Sequence, residues 1–301
     1  MKPEKKLFLL DAFALIYRAY FAFAKNPRIN SKGLDTSAIF GFVNTLNEVI
    51  RKEKPTHIAV VFDTKKPTER HIEFPEYKAH REAMPDGLCD ALPYIDTLRE
   101  AYNIPKWFVD GFEADDVIGT LAKKAEQEGF QTYMMTSDKD FAQLVSDNIF
   151  MYRPGTKWQP ITIWGIPEVL ERFDIQRVDQ VIDYLGMMGD SADNIPGIPG
   201  IGKKSAQKFI KQYDSMEGLF ANSHELKGKM KENVEASEEI GLLCKKLVTI
   251  ITDVPIHFDS EDMLLVPKDE QKITNLFEEL EFRNLLQRIL GTSSSQNQAE
   301  V

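Results

Sequence analysis

Three apolar runs in this chain each stop at an acid. Leu7–Leu10 is followed by Asp11 and Ile58–Phe62 by Asp63; Tyr133–Met135 is followed closely by Asp138, with Asp140 two positions on. Short apolar runs of this kind read as buried strands. Between the first two, Ile39, Phe42, Val43, Leu46, Val49 and Ile50 recur at helical spacing. Strands alternating with helices predict an α/β fold with a mainly parallel central sheet flanked by helices. In such a sheet, ligands gather outside the carboxyl ends of the strands. Acids that end strands should therefore converge on one edge.

The remaining elements fit the same plan. "AFALIYRAYFAFA" and "CDALPYIDTLREAYN" read as helices, "KWFVD" as a brief strand, and "EADDVIGTLAKKAEQEG" as a helix that Gly129 stops. "NIFMYRPGTKWQPITIWG" reads as a hairpin with Pro-Gly in its turn. Beyond about residue 165 the strands fade and helices remain, broken by "GDSADNIPGIPGIGKKS". The expected division is an α/β core over 1–185, a helical part over 186–290, and a polar tail over 291–301.

The chain of 301 residues carries a net charge of −10, which argues against a protein that coats nucleic acid non-specifically. Local basic patches, or acids neutralised by metal, remain compatible with it. Cys89 and Cys244 have no metal-ligand spacing, so a reducing, cytoplasmic setting is expected. The N-terminus superficially resembles a signal peptide, but Asp11 and Arg18 interrupt its apolar run. No apolar stretch reaches the length of a membrane span.

The densest acids are Glu113, Asp115 and Asp116 in "DGFEADDVIG". Like charges at about 4 Å repel by roughly 1 kcal/mol even in water. Acids favour helix N-termini, which explains any one of them. It does not explain Asp11, Asp63, Glu113, Asp115, Asp116, Asp138, Asp140, Asp190 and Asp193 together, with no basic partner expected beside them. Hard divalent cations do. Mg²⁺ takes oxygen ligands, and two such ions about 4 Å apart can hold both oxygens of a phosphoryl displacement. Glu113 and Asp116 share a helix face while Asp115 is turned about 100° from Asp116, so one helix start can serve two ions. The histidines form no zinc pattern and no G-x-S-x-G anchors a hydrolase triad.

Two further segments are cationic. Gly197 to Lys203 fits the start of a P-loop, but Lys204 stands where the motif needs Ser or Thr, and Pro199 removes a backbone donor. A helix–hairpin–helix is the better reading. Gly197, Gly200 and Gly202 permit the turn, backbone N–H groups can hold a phosphate, and Lys203, Lys204, Lys208 and Lys211 follow with no acid among them. Segment 64–90 is long for a connection and carries Lys65, Lys66, Arg70, Lys78 and Arg81 around Tyr77. It suits a single-strand channel in which cations follow phosphates and the ring stacks on a base, or a lid, or a mobile surface loop.

Together "LLDAFALIYRAYFAF", "VVFDTKKPTERH", "FPEYKAHR", "DGFEADDVIGTLA", "TSDKDFAQLV", "YLGMMGDSADNIPGIPGIGKKSA" and "LEFRNLLQRI" resemble the 5′ nuclease (flap endonuclease-like) family. The branch resembled is the one that forms the N-terminal 5′→3′ exonuclease domain of bacterial DNA polymerases. The resemblance implies a PIN-like 5′ nuclease fold with a helical arch over 64–90 and a helix–hairpin–helix at 190–212. It implies a Mg²⁺-dependent two-metal phosphodiesterase, with Mn²⁺ able to substitute and K⁺ at the hairpin. Its substrate would be DNA with a 5′ flap, a nick or a branch. By motif, Asp11, Asp63, Glu113 and Asp115 match the first metal site and Asp138, Asp140 and Asp190 the second, with Asp116 and Asp193 close by or acting through water. Lys78 and Arg81 match the residues that position the scissile phosphate; Arg18 and Tyr17 are candidates for substrate contact or packing. A monomer followed by polymerase domains in a longer bacterial protein is expected, with a stand-alone nuclease as the alternative. Readings from other classes are a non-catalytic DNA-structure-binding module and a phosphatase acting on small esters.

Overall fold

A computed structural model describes residues 5–155 and 159–291. Its sheet has six strands: β1 (Lys6–Asp11), β2 (His57–Val61), β3 (Lys106–Trp107), β4 (Gln131–Met135), β5 (Ile149–Arg153) and β6 (Thr162–Trp164). Their order is β3-β2-β1-β4-β5-β6. β1 pairs with β4 and β4 with β5 in parallel, while β5 and β6 are antiparallel. The mainly parallel sheet expected from the alternating pattern is therefore present.

The helices, in chain order, begin with α1 (Ala12–Ala22), α2 (Ser37–Glu53), α3 (Glu69–Glu73), α4 (Asp86–Ala101) and α5 (Ala114–Gln127). There follow α6 (Ile166–Phe173), α7 (Gln180–Met188), α8 (Lys203–Tyr213), α9 (Met216–Ala221) and α10 (Gly228–Glu235). The last are α11 (Glu238–Val248), α12 (Glu270–Glu279) and α13 (Arg283–Leu290). None of the described helices is long and apolar enough to cross a membrane.

Two compact units result. One comprises Met1–Asp11, Val61–Ala83 and Trp107–Phe258; the other comprises Ala12–Val60, Met84–Lys106 and Asp259–Val301. In the first, Leu7 to Leu10 of β1 are completely buried, the reason this strand reads as an unbroken apolar run rather than an alternating one. Val117, Ile118, Leu121, Ala122 and Ala125 of α5 lie wholly inside as well, which fixes the N-terminus of α5 near the strand ends. In the second unit, Ile39, Phe42, Val43, Leu46 and Val49 form the buried stripe of α2, packed among α1 and α4.

Two expectations shift. Segment 64–90 is not one long loop: α3 lies inside it, and α4 starts at Asp86, with Pro85 ahead of it and Asp86 in its first turn. The helical content of that segment is the five-residue α3 and the first residues of α4. "KWFVD" supplies only Lys106–Trp107 as strand, because Phe112 N closes a turn on Val109 O at 3.2 Å. The β5–β6 hairpin is present, but residues 156–158 of its turn and the polar tail after Gly291 lie outside the described residues.

Candidate active site

Parallel pairing delivers the first acids. β1 and β4 are neighbours in register, Leu10 opposite Met135, so Asp11 and the residues after Met135 leave the sheet together. Thr136 Oγ1 donates to Asp11 Oδ2 at 2.9 Å and accepts from Asp138 N at 3.1 Å. Asp138 then caps a short 3₁₀ turn, its Oδ1 accepting from Asp140 N at 3.0 Å. Asp63, just past β2, accepts from Ala114 N at 2.8 Å, at the start of α5. Thr136 is a linker that residue type alone did not single out.

Asp115, in the first turn of α5, takes the strongest like-charge load. Burial, then Asp11, Asp138 and Glu113, push its carboxyl well above the usual range, with Lys78 pulling the other way. Asp63 is raised too, by burial first and then by Glu113, against the Ala114 N–H. Asp140 is pushed up to about 7, by burial and then by Asp138, with Lys139 opposing. Carboxyls driven toward the protonated state by burial first and then by one another form a site that binding a cation would relieve.

Cations of the chain itself stand among these acids. Lys78 Nζ donates to Glu113 Oε1 at 2.8 Å and lies 3.7 Å from Asp193. Burial works against its charge, but Glu113 and Asp193 outweigh that and raise its pKa. Lys78 has left-handed backbone (φ 56°), rare for a side chain of this size, and is held by its N–H on Asp193 O at 2.9 Å. Arg81 donates to Asp193 Oδ1 at 2.6 Å, and Asn194 Nδ2 to Glu76 O at 2.7 Å. The loop carrying Asp190 and Asp193 thus anchors the basic segment.

Lys139 is the residue the sequence reading passed over. It lies between Asp138 and Asp140, so the acids do have a basic partner built in beside them. Its ammonium hydrogen-bonds Asp190 and lies 3.3 Å from Asp140 Oδ1. Burial opposes ionisation of Asp190, yet Lys139 and the N–H groups of Ala192 and Asp193 hold its carboxyl below the usual range.

Three residues expected at the interface are turned inward. Asp116 is completely buried and takes both arms of the Arg70 guanidinium at 2.7 Å each, together with Glu113 N at 3.2 Å and Ile251 N at 2.9 Å. With those lone pairs committed, direct metal ligation by Asp116 does not fit this arrangement. Arg70 is only 7% exposed and spends its other donors on Leu247 O and Thr249 O, which leaves no face for DNA. Tyr77, 3% exposed, places its hydroxyl 3.0 Å from Glu113 Oε2 and 3.3 Å from Asp193 Oδ2 rather than offering a ring to a base. Arg18 belongs to the second unit, on α1; burial lowers its pKa, with Glu48 opposing.

The hairpin is built on two glycines that touch. Gly189 (φ 73°) and Gly197 (φ 67°) approach so closely that a Cβ on either would lie about 2.5–2.7 Å from backbone of the other's strand. Gly197 is therefore buried in the crossing, whereas Gly200 and Gly202 are exposed. Gly202 precedes α8 without a capping side chain, and Lys203 and Lys204 beside it are exposed. Lys204, Lys208 and Lys211 line one groove with Gln207, Gln212 and Asp174, whose carboxylate pairs with the Lys211 ammonium.

The donors in this site are hard carboxylate oxygens, the kind Mg²⁺ or Mn²⁺ takes. Asp140 Oδ1 is buried without a hydrogen bond, its 3.3 Å approach to Lys139 lacking the angle for one. Among the described residues no three carboxylates stand close enough, as placed, to hold one ion. Lys78 and Lys139 sit between them instead. The chemistry of the set fits divalent metal once those ammonium groups give way.

Comparison with known proteins adds the following. Residues 6–174 match the family model of the 5′-3′ exonuclease N-terminal resolvase-like domain, and residues 176–271 that of the 5′-3′ exonuclease C-terminal SAM fold. DNA polymerase I of Bacillus caldotenax is 40% identical over 299 residues, covering 97% of this chain and 33% of its own length. That of Bacillus subtilis is 39% identical over 298 residues, covering 98% and 33%. The chain thus spans about a third of the curated relatives it matches. Among solved structures, the bacteriophage T5 D15 flap endonuclease in complex with DNA and metal ions has TM-score 0.66 at 20% identity, covering 95% of this chain and 100% of that one. The catalytic core of Rad2 with DNA substrate has TM-score 0.60 at 14% identity, covering 95% and 92%. At such identities the structural likeness speaks for the fold.

Proposed function

The chain belongs to the 5′-3′ exonuclease family, and on that premise we propose that it hydrolyses DNA phosphodiesters as a Mg²⁺-dependent 5′→3′ exonuclease and 5′-flap endonuclease. The observation that carries the reading is the charge environment of Asp115, pressed by Asp11, Glu113 and Asp138 with Lys78 as the compensating cation. Asp11, Asp63, Glu113 and Asp115 would hold one ion and Asp138, Asp140 and Asp190 a second. When bound, the ions supply charge neutralisation of the phosphoryl group and an activated water. Within a longer polymerase the reaction would remove primers and flaps during replication and repair. We keep the division into a core over 1–185 and a helical DNA-binding part over 186–290.

The chain's own groups bind and orient. Lys78 and Arg81 are released from Glu113 and Asp193 to meet the scissile phosphate, a transfer between anions that keeps both cations paired. Tyr77 holds the Glu113 carboxylate in place throughout. Gly200, Gly202 and the α8 lysines take the duplex backbone without reading sequence, and K⁺ at the hairpin is part of this reading. Segment 64–90 carries the strand end past the acids.

A labelled 5′-flap duplex, incubated with and without Mg²⁺, tests this. Metal-dependent release of the flap is expected. Binding with no turnover in Mg²⁺ or Mn²⁺ would favour a DNA-structure-binding module, and rapid hydrolysis of a chromogenic phosphate monoester would favour a phosphatase. Lys78→Ala should lower single-turnover cleavage about 10²–10³-fold, the usual cost of one lost charge-stabilising donor, with flap affinity reduced only modestly. Turnover near wild type would remove Lys78 from the reaction. Replacing Lys203, Lys204, Lys208 and Lys211 by Ala should weaken duplex binding and flatten its salt dependence by roughly one unit of slope per lost phosphate contact. An unchanged slope would remove that face from the interface.

A further inference from the structure

Lys139 is a cation placed where the second ion is assigned. It is flanked in sequence by Asp138 and Asp140, bonded in space to Asp190, and 3.3 Å from the one buried Asp140 oxygen without a hydrogen bond. Its side chain is 40% exposed, so it can leave its carboxylates for solvent or for a phosphate with little disruption. Lys78 has a comparable post at Glu113 but is only 16% exposed and is held by its strained backbone as well.

We propose that Lys139 is a resident counter-ion that keeps the second carboxylate set closed to divalent metal until DNA arrives. An ammonium within hydrogen-bond reach of two carboxylates offsets part of the charge a divalent ion would need, and it fills their shared space. A bound DNA phosphate gives the ammonium another anion. Once it moves, Asp138, Asp140 and Asp190 lose that counter-charge, and the oxygens of Asp140 and Asp190 that it faces are free for a divalent ion. Second-ion binding and DNA binding are then coupled in both directions, as any such linkage must be. Hydrolysis in the absence of a correctly seated strand is suppressed by the same device. The inference rests on the two-ion reading above and assigns this chain's own residue a role within it.

The test is calorimetric titration of the intact protein with Ca²⁺, without DNA, for wild type, Lys139→Met and Lys139→Arg. Wild type and Lys139→Arg should show one stronger site and a second at least ~10-fold weaker, as expected when one charge within a few ångströms opposes the ion. Lys139→Met should tighten the second site by about that factor. Repeating the titration with a flap duplex present should bring the wild-type second site up to the Lys139→Met value. Superimposable isotherms for wild type and Lys139→Met without DNA would overturn the proposal. A second site in wild type that DNA leaves unchanged would overturn it too. Absence of any Ca²⁺ binding in all three proteins would overturn the two-ion reading beneath it, a separate and recognisable result. Lys139→Gln, read alongside, guards against a packing defect peculiar to Met.

Discussion

Asp115→Asn should cut cleavage by about 10³-fold or more and make the protein more stable. The two effects have one origin. In the folded chain the Asp115 carboxyl is raised well above its ordinary range by burial, then by Asp11, Asp138 and Glu113. In the unfolded chain it titrates near 3.9. A carboxyl raised on folding binds its proton more tightly in the native state, so stability falls as pH climbs from the unfolded value through the folded one. At pH 7.5 Asp115 is therefore a liability, which Asn removes at nearly the same shape. A melting temperature higher by a few degrees is expected, at about 2–4 °C per kcal/mol for a chain of this size. The gain should shrink as pH is lowered through the folded value and vanish only below about 3.9, where both states of the wild type are protonated. Single-turnover cleavage should meanwhile drop by about 10³-fold or more, since a lost metal ligand removes several kcal/mol of transition-state stabilisation. A melting temperature that falls at pH 7.5, or cleavage near wild type, would contradict the assignment. Adding Asp138→Asn should reduce residual cleavage further.

Much of this site is visible in the chain because strand ends are. Apolar runs that need burial on both faces stop where the chain leaves the sheet, and parallel pairing brings those stops to one edge. Asp11 and Asp138 meet through Thr136 for that reason. The start of α5 follows from the same logic, because a helix that buries Val117, Ile118 and Leu121 must begin at the strand edge. Inward-facing polar side chains are another matter. Arg70 and Tyr77 sit in a polar segment with no periodicity, and the partners of Arg70 at Leu247 and Thr249 are 177 and 179 residues away. No local pattern distinguishes an arginine that will meet phosphate from one that will be buried against Asp116. Lys139 was hidden differently. Its place in "DKD" is plain, but its hydrogen-bond partner Asp190 is 51 residues away in sequence. The left-handed backbone of Lys78 is equally silent in sequence, since φ > 0 is signalled by Gly or Asn and here falls on a lysine. The two compact units, each assembled from three separate stretches, also differ from a division by sequence order, because sheet and helix packing ignores that order.

Arg70→Met should be among the most damaging single changes, and it separates the two roles this arginine could have. Its guanidinium joins α3, the start of α5 and the 247–251 strap by two 2.7 Å bonds to Asp116 and by bonds to Leu247 O and Thr249 O. Met keeps the apolar stem but strands the Asp116 charge, which is wholly buried and retains only the N–H groups of Glu113 and Ile251. Breaking one side of such a pair costs about 3–5 kcal/mol, measurable as a lower urea midpoint. Adding Asp116→Asn should recover part of that loss, because the buried charge is gone and the amide oxygen still accepts from one of those N–H groups, which in the wild type donate to different carboxylate oxygens. The coupling in this double-mutant cycle should reach about 2 kcal/mol, within the range for residues in one network. Cleavage should fall about 10²-fold in Arg70→Met through displacement of Glu113 and Asp115, the scale of a misplacement near 1 Å. Flap affinity should keep its wild-type salt slope, since no phosphate contact is lost. A urea midpoint unchanged from wild type, together with a salt slope shallower by about one, would return Arg70 to the DNA interface and make its burial against Asp116 a resting position rather than a structural bond.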